Sequence, residues 1–396
     1  KCSDGGDCRR TSSRHETLCV DTATVTTSTP SPDQALRPGF LALHGNRLEA
    51  LAEVTLDWLA RHPLGTLEEE VFLVQSNGMA EWLKMHMAER TGICAATRVE
   101  LPARFIWRAY RAVLGRDAVP PSSPLDRRPL VWRCMRLLPT LAGRPGFEPV
   151  ARFLTADAQP LRRLQLAERL ADLYDQYQVY RSDWLTDWAV GRDQLSPRGT
   201  PVPAEQAWQP VLWRELLAGL HDDDRLSARP ALHRRFLEAL AAPVAGGRRP
   251  NQPGLPRRLV LFGTTHIPHQ TLEALAALAR HCQVLMVVPN PCQFHWSDLI
   301  EGRELLGSAP ARHVLRRGVS LADKPLEALH AHGHPLLAAW GRQSRDFIRQ
   351  LDGFDDTRRS REWMDLPRVD LFDDGPGGNL LQRVQARIRD LEPLDE

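Results

Sequence analysis

The sequence predicts an α/β protein in which a parallel sheet is begun, interrupted by a long helical block and then resumed. Three observations carry this. Apolar runs at residues 40–44 and 71–74 are each followed by a polar turn and a helical pattern. From about Leu101 to Ala242 apolar and aromatic residues recur at three and four, and strand signals vanish. Short apolar runs then return at residues 258–262 and 284–288. Strands alternating with helices of this length favour a parallel sheet.

In order, residues 40–44 (Phe-Leu-Ala-Leu-His) read as a buried strand, and Gly45-Asn46 turns the chain. Residues 47–60 are helical, with Leu48, Leu51, Val54, Leu56 and Leu59 on one side. A second strand at 71–74 is closed by Gln75-Ser76-Asn77-Gly78, and 79–90 is a helix. The helical block carries Leu164, Ala167, Leu170, Ala171, Tyr174 and Tyr177 at helical spacing, with proline-bearing loops at 120–124 and 196–203. A Gly/Pro/Arg-rich linker is expected at 246–256. Strand 258–262, helix 271–280 and strand 284–288 resume the sheet, and a polar helical region runs from 333 to 348 and onward. Residues 1–37 are rich in Thr, Ser and Pro and read as a disordered leader; the chain starts with Lys and its first methionine is Met79, which suggests a mis-set start.

Composition narrows the function. Hydrophobic content of 42% and charged content of 25% suit a globular protein, and the net charge of +2 singles out no partner. No apolar run is long enough to span a membrane, and no basic start followed by an apolar stretch marks a signal peptide. The seven cysteines form no C-x-x-C, so free thiols in a reducing cytoplasm are expected. Only Lys1, Lys84 and Lys324 among the 51 basic residues are lysines. A phosphate-binding loop needs lysine after glycine, and a nuclease of the D…[D/E]-x-K type needs an acid two residues before its lysine. Leu83 and Asp323 precede the two internal lysines, and Trp82 and Ala322 stand where the acid would be. Both chemistries are excluded in their standard form.

Ligands of open parallel sheets bind outside the carboxyl ends of the strands. At the end of the first strand, where a phosphate loop would sit, stand His44, Gly45, Asn46 and Arg47, with no lysine and no Ser or Thr for magnesium. At the end of the 258–262 strand, where a motor keeps a metal-binding acid, stands Gly263. Two readings fit: a motor layout whose ATP chemistry is lost, or a sheet that was never a motor. At the second strand end, residues 75–82 place Gln75, Asn77 and Glu81 at a helix start, where amides read base edges and free N–H groups favour phosphate; taken alone, Ser76 or Asn77 reads rather as a plain helix cap. Trp107 in residues 101–107 offers a face for base stacking, or core packing. Asp172, Asp175 and Gln176 share one helix face, which suits contact with base amino groups, or a solvated face over a tyrosine core. His330, His332, His334 and the pair His266/His269 lack further ligands at metal-binding spacing.

Seven segments, in order, resemble the RecC family, the gamma chains of exodeoxyribonuclease V (RecBCD): 74–83, 101–107, 171–181 with Asp183-Trp184-Leu185, Gln206-Ala207-Trp208-Gln209 with Leu212-Trp213, 253–256, 289–292 and 335–341. The resemblance runs from about residue 40 to the end and leaves out the leader. It implies a degenerate superfamily 1 helicase, a P-loop NTPase-like parallel sheet with an inserted helical subdomain: inactive domain 1A at 38–100 and 250–350, insertion 1B at 101–249, and the helical start of a further region at 351–396. It also implies a subunit of a helicase and nuclease complex for recombinational break repair, without a catalytic site or cofactor of its own. RecB-like and RecD-like partners would use the ATP and Mg2+, while this chain holds the duplex end and scans the 3′-ended strand for Chi. Alternatives are an active, AddB-like subunit and a purely structural adaptor. Carried over position by position, the Chi-reading residues fall on Gln75, Asn77, Glu81, Leu101, Trp107, Asp172, Leu173, Asp175, Gln176, Arg181 and Arg229. Asn77 and Glu81 depart from the family's usual threonine and glutamine; glutamate has no amide donor, so the two-way contact with a base is lost there.

Overall fold

The computed structural model describes residues 36–392, except 66, 156–159, 196–198, 222–223, 226–227, 243–253, 298–333, 353, 355–370 and 374–377. Residues 1–35 of the predicted leader, most of the 246–256 linker, and His330 and His332 therefore lie outside the described residues. In chain order the strands are β1 (Gly39–Gly45), β2 (Glu70–Leu73), β3 (Thr97–Glu100), β4 (Gln194–Leu195), β5 (Thr200–Pro201), β6 (Arg258–Phe262) and β7 (Gln283–Pro289). β1, β7, β6, β2 and β3 form one sheet in that spatial order, and every pairing is parallel.

Both faces of the sheet are covered, which is why its central strands read as unbroken apolar runs. Alternate residues serve opposite cores. Leu41, Phe72, Val260 and Leu285 face α1 (Leu48–Arg61) and α2 (Asn77–Thr91). Ala42, Leu73, Leu261 and Met286 face α3 (Pro102–Leu114) and two later helices, α9 (Arg229–Ala241) and α10 (His269–Leu278). The first and last helices of the 101–249 segment thus pack on the sheet. Between them α4 (Arg127–Leu141), α5 (Glu148–Thr155), α6 (Pro160–Tyr180), α7 (Ser182–Ala189) and α8 (Trp208–Ala218) enclose a separate core, with Tyr174 fully buried and Tyr177 packed beside it. Tyr174 donates to the Gln209 carbonyl at 2.7 Å.

One expectation needs correction, and two features go beyond the sequence reading. The helical block is not free of strands: β4 and β5 pair antiparallel, too short to leave a periodicity in the sequence. β3 carries one large apolar residue, Val99, because it is an edge strand, and charge on an edge discourages pairing with other chains. The helical region expected from 333 onward is made, in its described part, of α11 (Pro335–Trp340) and α12 (Arg342–Asp352), divided at Gly341. A Cβ there would stand 2.8 Å from the Trp296 ring. A last helix, α13 (Leu380–Arg389), starts with an Asn379–Gln382 capping box. Cys94, Cys134, Cys282 and Cys292 are free thiols, and among the described residues no helix is long and apolar enough to cross a membrane.

Candidate nucleic-acid interface

A parallel sheet brings all its strand ends to one edge. Here the chain leaves β2 toward β3 and leaves β6 toward β7, in opposite directions, so the topological switch point lies between the ends of β2 and β6. Gln75 stands there. Its amide donates to the His266 carbonyl at 2.9 Å and lies 3.3 Å from His266 Nδ1, and Thr265 Oγ1 donates to its Oε1 at 3.3 Å. Ser76 caps α2 by accepting from the Met79 N–H at 3.2 Å, which starts the helix at Asn77, two residues before the predicted start. Asn77 and Glu81 are exposed on its first turns, Glu81 paired with Lys84 at 3.0 Å. The Val74 N–H donates to the Glu100 carbonyl, so Leu101, 36% exposed, leaves the neighbouring strand at the same edge.

Trp107 lies further along α3. It is half-buried against the sheet's core, and its ring meets Tyr110 edge-on at 6.0 Å. The Tyr110 hydroxyl is 2.8 Å from His233 Nδ1, whose Nε2 is 3.1 Å from Glu273; His269 reaches the same carboxylate at 3.5 Å. Hydrogen bonds from both histidines pull the Glu273 carboxyl down to about 2. The bond to Glu273 raises His269, and the Asp183 carboxylate adds to this.

The candidates on α6 are held by one another and by neighbouring helices. Arg229, at the start of α9, lies 3.3 Å from Asp175 and 3.4 Å from Asp126. Arg127 pairs with Asp172 at 3.2 Å, and Gln176 donates to Asp172 at 3.2 Å. Burial raises the Asp175 carboxyl, opposed by Arg229. Leu173 is half-buried on the same turn. Arg181 pairs with Asp183 at 3.0 Å and stacks 4.1 Å over the Trp184 ring. The structure thus gathers Gln75, Asn77, Glu81 and Leu101 at the sheet edge, and Asp172, Asp175, Gln176 and Arg229 in a charged cluster on the insertion. The sequence marks His266 only as one of a histidine pair; the bonds of Thr265 and His266 to Gln75, 190 and 191 residues away, cannot be read from spacing.

At the end of β1 the turn read from the sequence as a degenerate nucleotide site contacts residues 371–373. Asn46 donates to the Asp373 carbonyl at 2.9 Å and accepts from its N–H at 3.0 Å, and Arg47 meets its carboxylate at 2.5 Å. His44 is half-buried in β1 beside Val288 of β7. Gly263 has φ +68°, a left-handed conformation in which an aspartate would be strained. No cluster of His, Cys, Asp or Glu suited to a metal occurs among the described residues.

A family model described as RecC, N-terminal domain, matches residues 40–391. The chain is 33% identical over 368 residues to RecBCD enzyme subunit RecC of Escherichia coli (strain K12), covering 88% of this chain and 30% of that protein. It is 29% identical over 390 residues to the subunit of the same name from Haemophilus influenzae, with 89% and 33% covered. Against that of Mycolicibacterium smegmatis identity is 29% over 323 residues, 78% of this chain and 25% of the relative. The chain spans a third or less of the length of these curated relatives.

Proposed function

Since the chain belongs to the RecC family through its N-terminal domain, we propose that it is a DNA-binding, Chi-scanning part of a RecBCD-type helicase and nuclease in recombinational break repair, with no working ATPase of its own. One observation carries the reading. Gln75, Asn77, Glu81 and Leu101, which the family resemblance assigns to strand reading, meet at the edge and switch point where open sheets take their ligands. Residues 38–100 and 250–350 act as an inactive helicase domain 1A, 101–249 as insertion 1B, and 351–396 as the start of the next region. RecB-like and RecD-like subunits supply the ATP- and Mg2+-dependent work in the cytoplasm, and this chain holds the duplex end and the 3′-ended strand.

An active motor is disfavoured by the missing lysine and by the backbone at Gly263, whose φ of +68° opposes the acid a motor needs. The test is ATP hydrolysis by the purified chain with single-stranded DNA. No turnover above the buffer control is expected; turnover that co-purifies with the chain refutes the silent-motor reading. Trp107→Ala and Asp175→Ala are expected to leave assembly with the partners intact and to abolish the response to a Chi-like sequence. An unchanged response in both returns the chain to the role of structural adaptor.

A further inference from the structure

We propose that the mouth at the end of β1, the place a nucleotide-driven motor gives to its phosphates, is in this chain a docking site for its own residues 371–373, with the Asp373 carboxylate in the position of an anion. The identity of the mouth rests on the helicase-like reading above; the contacts do not. They are of three kinds. Leu371 is buried, 7% exposed, in the core that β1 shares with α1 and α2. The Asn46 amide pairs with both main-chain groups of Asp373, as a neighbouring strand would, and main-chain pairing of this kind is how extended peptides are held at sheet edges. The Asp373 carboxylate meets Arg47 at the start of α1, where first-turn amides favour negative charge.

Gly45 gives the fit a steric reason. A Cβ there would stand 2.9 Å from both Leu371 Cβ and the Leu371 carbonyl oxygen. The one glycine of the 44–49 turn is therefore required by the docked segment, and this accounts for a phosphate-loop position that keeps a glycine without the lysine. The Arg47–Asp373 pair is about half exposed, so Leu371 and the main-chain pairing hold the segment while the ion pair orients it.

The test uses the full chain, hydrogen exchange and trinitrophenyl-ATP as the anionic probe. In the wild type the Asp373 amide is expected to exchange slowly and the probe not to saturate. Asn46→Ala is expected to speed that exchange roughly tenfold, through loss of the hydrogen bond. Leu371→Ser combined with Asp373→Ala is expected to give saturable probe binding. Equal exchange in wild type and Asn46→Ala overturns the docking. A double variant that folds and binds no probe, or a wild type that binds it with the Asp373 amide still protected, overturns the exclusion of nucleotide. If the double variant does not fold, the exchange of Asn46→Ala still decides the docking. ATP hydrolysis by the wild type would instead refute the silent-motor reading, with the exchange result left to judge the docked segment on its own.

Discussion

The sheet and the helical insertion both contribute candidate DNA-contacting residues, but they hold them differently. In the sheet, stability comes from strands buried on both faces, and Gln75, Asn77 and Glu81 sit at the strand-end edge with exposed side chains. In the insertion, Asp126, Arg127, Asp172, Asp175 and Arg229 are engaged with each other. The difference teaches that a strand bound at the sheet edge would exchange exposed contacts, Gln75 with Thr265 and His266 and Glu81 with Lys84, whereas on α6 it would have to exchange the charge pairs that join two helices. Contacts to the first group would disturb only exposed side-chain bonds; contacts to the second would also disturb the joint between α6 and α9.

The largest expected effect probes the sheet. Leu261, fully buried, leaves a cavity when changed to Ala, and urea unfolding should show a loss of about 2–5 kcal/mol. Next comes the joint. Arg229→Ala leaves Asp126 and Asp175 facing each other without their shared cation; Arg229 is 26% exposed, and the expected loss is about 1–3 kcal/mol. By contrast Gln75→Ala and Asn77→Ala, at the exposed edge, should each change stability by no more than about 0.5 kcal/mol. If Gln75→Ala costs as much as Arg229→Ala, the division between exposed edge and charge-paired joint is broken.

A smaller effect concerns pH. Glu273, lowered to about 2 by its two histidines, contributes stability above its ordinary value of 4.5 that is lost as pH falls toward 2. His269, raised by the same contact, contributes below its ordinary value of 6.5, and this is lost as pH rises through its raised value. Both contributions coincide between 4.5 and 6.5. Glu273→Gln should therefore lower the melting temperature most in that window and less at pH 8; a deficit that grows toward pH 8 contradicts the assigned partners.

What the sequence made legible follows the same division. β6 and β7 were readable because burial on both faces demands continuous apolar runs, as in Arg258–Phe262. β3 was not, since an edge strand with Thr97, Arg98 and Glu100 has no such demand. Residues 75–82 were correctly placed at a helix start, because capping is local and Ser76 announces it. The partners of that turn were not legible: Gln75 meets His266, and Asn46 meets Asp373 327 residues on, through topology alone. The α6 face could be drawn from helical spacing, but its pairing with Arg127 and Arg229 depends on how three helices cross.

The most direct measurement of the central claim is fluorescence anisotropy of a 3′-ended single strand on the full chain, wild type and Trp107→Ala, with and without Mg-ATP. Losing one base–aromatic stack costs about 1–3 kcal/mol, so the variant should bind about 5- to 150-fold more weakly, and ATP should change neither curve. Equal binding by the two proteins, or binding by the wild type that responds to ATP, would contradict a silent motor that grips a strand.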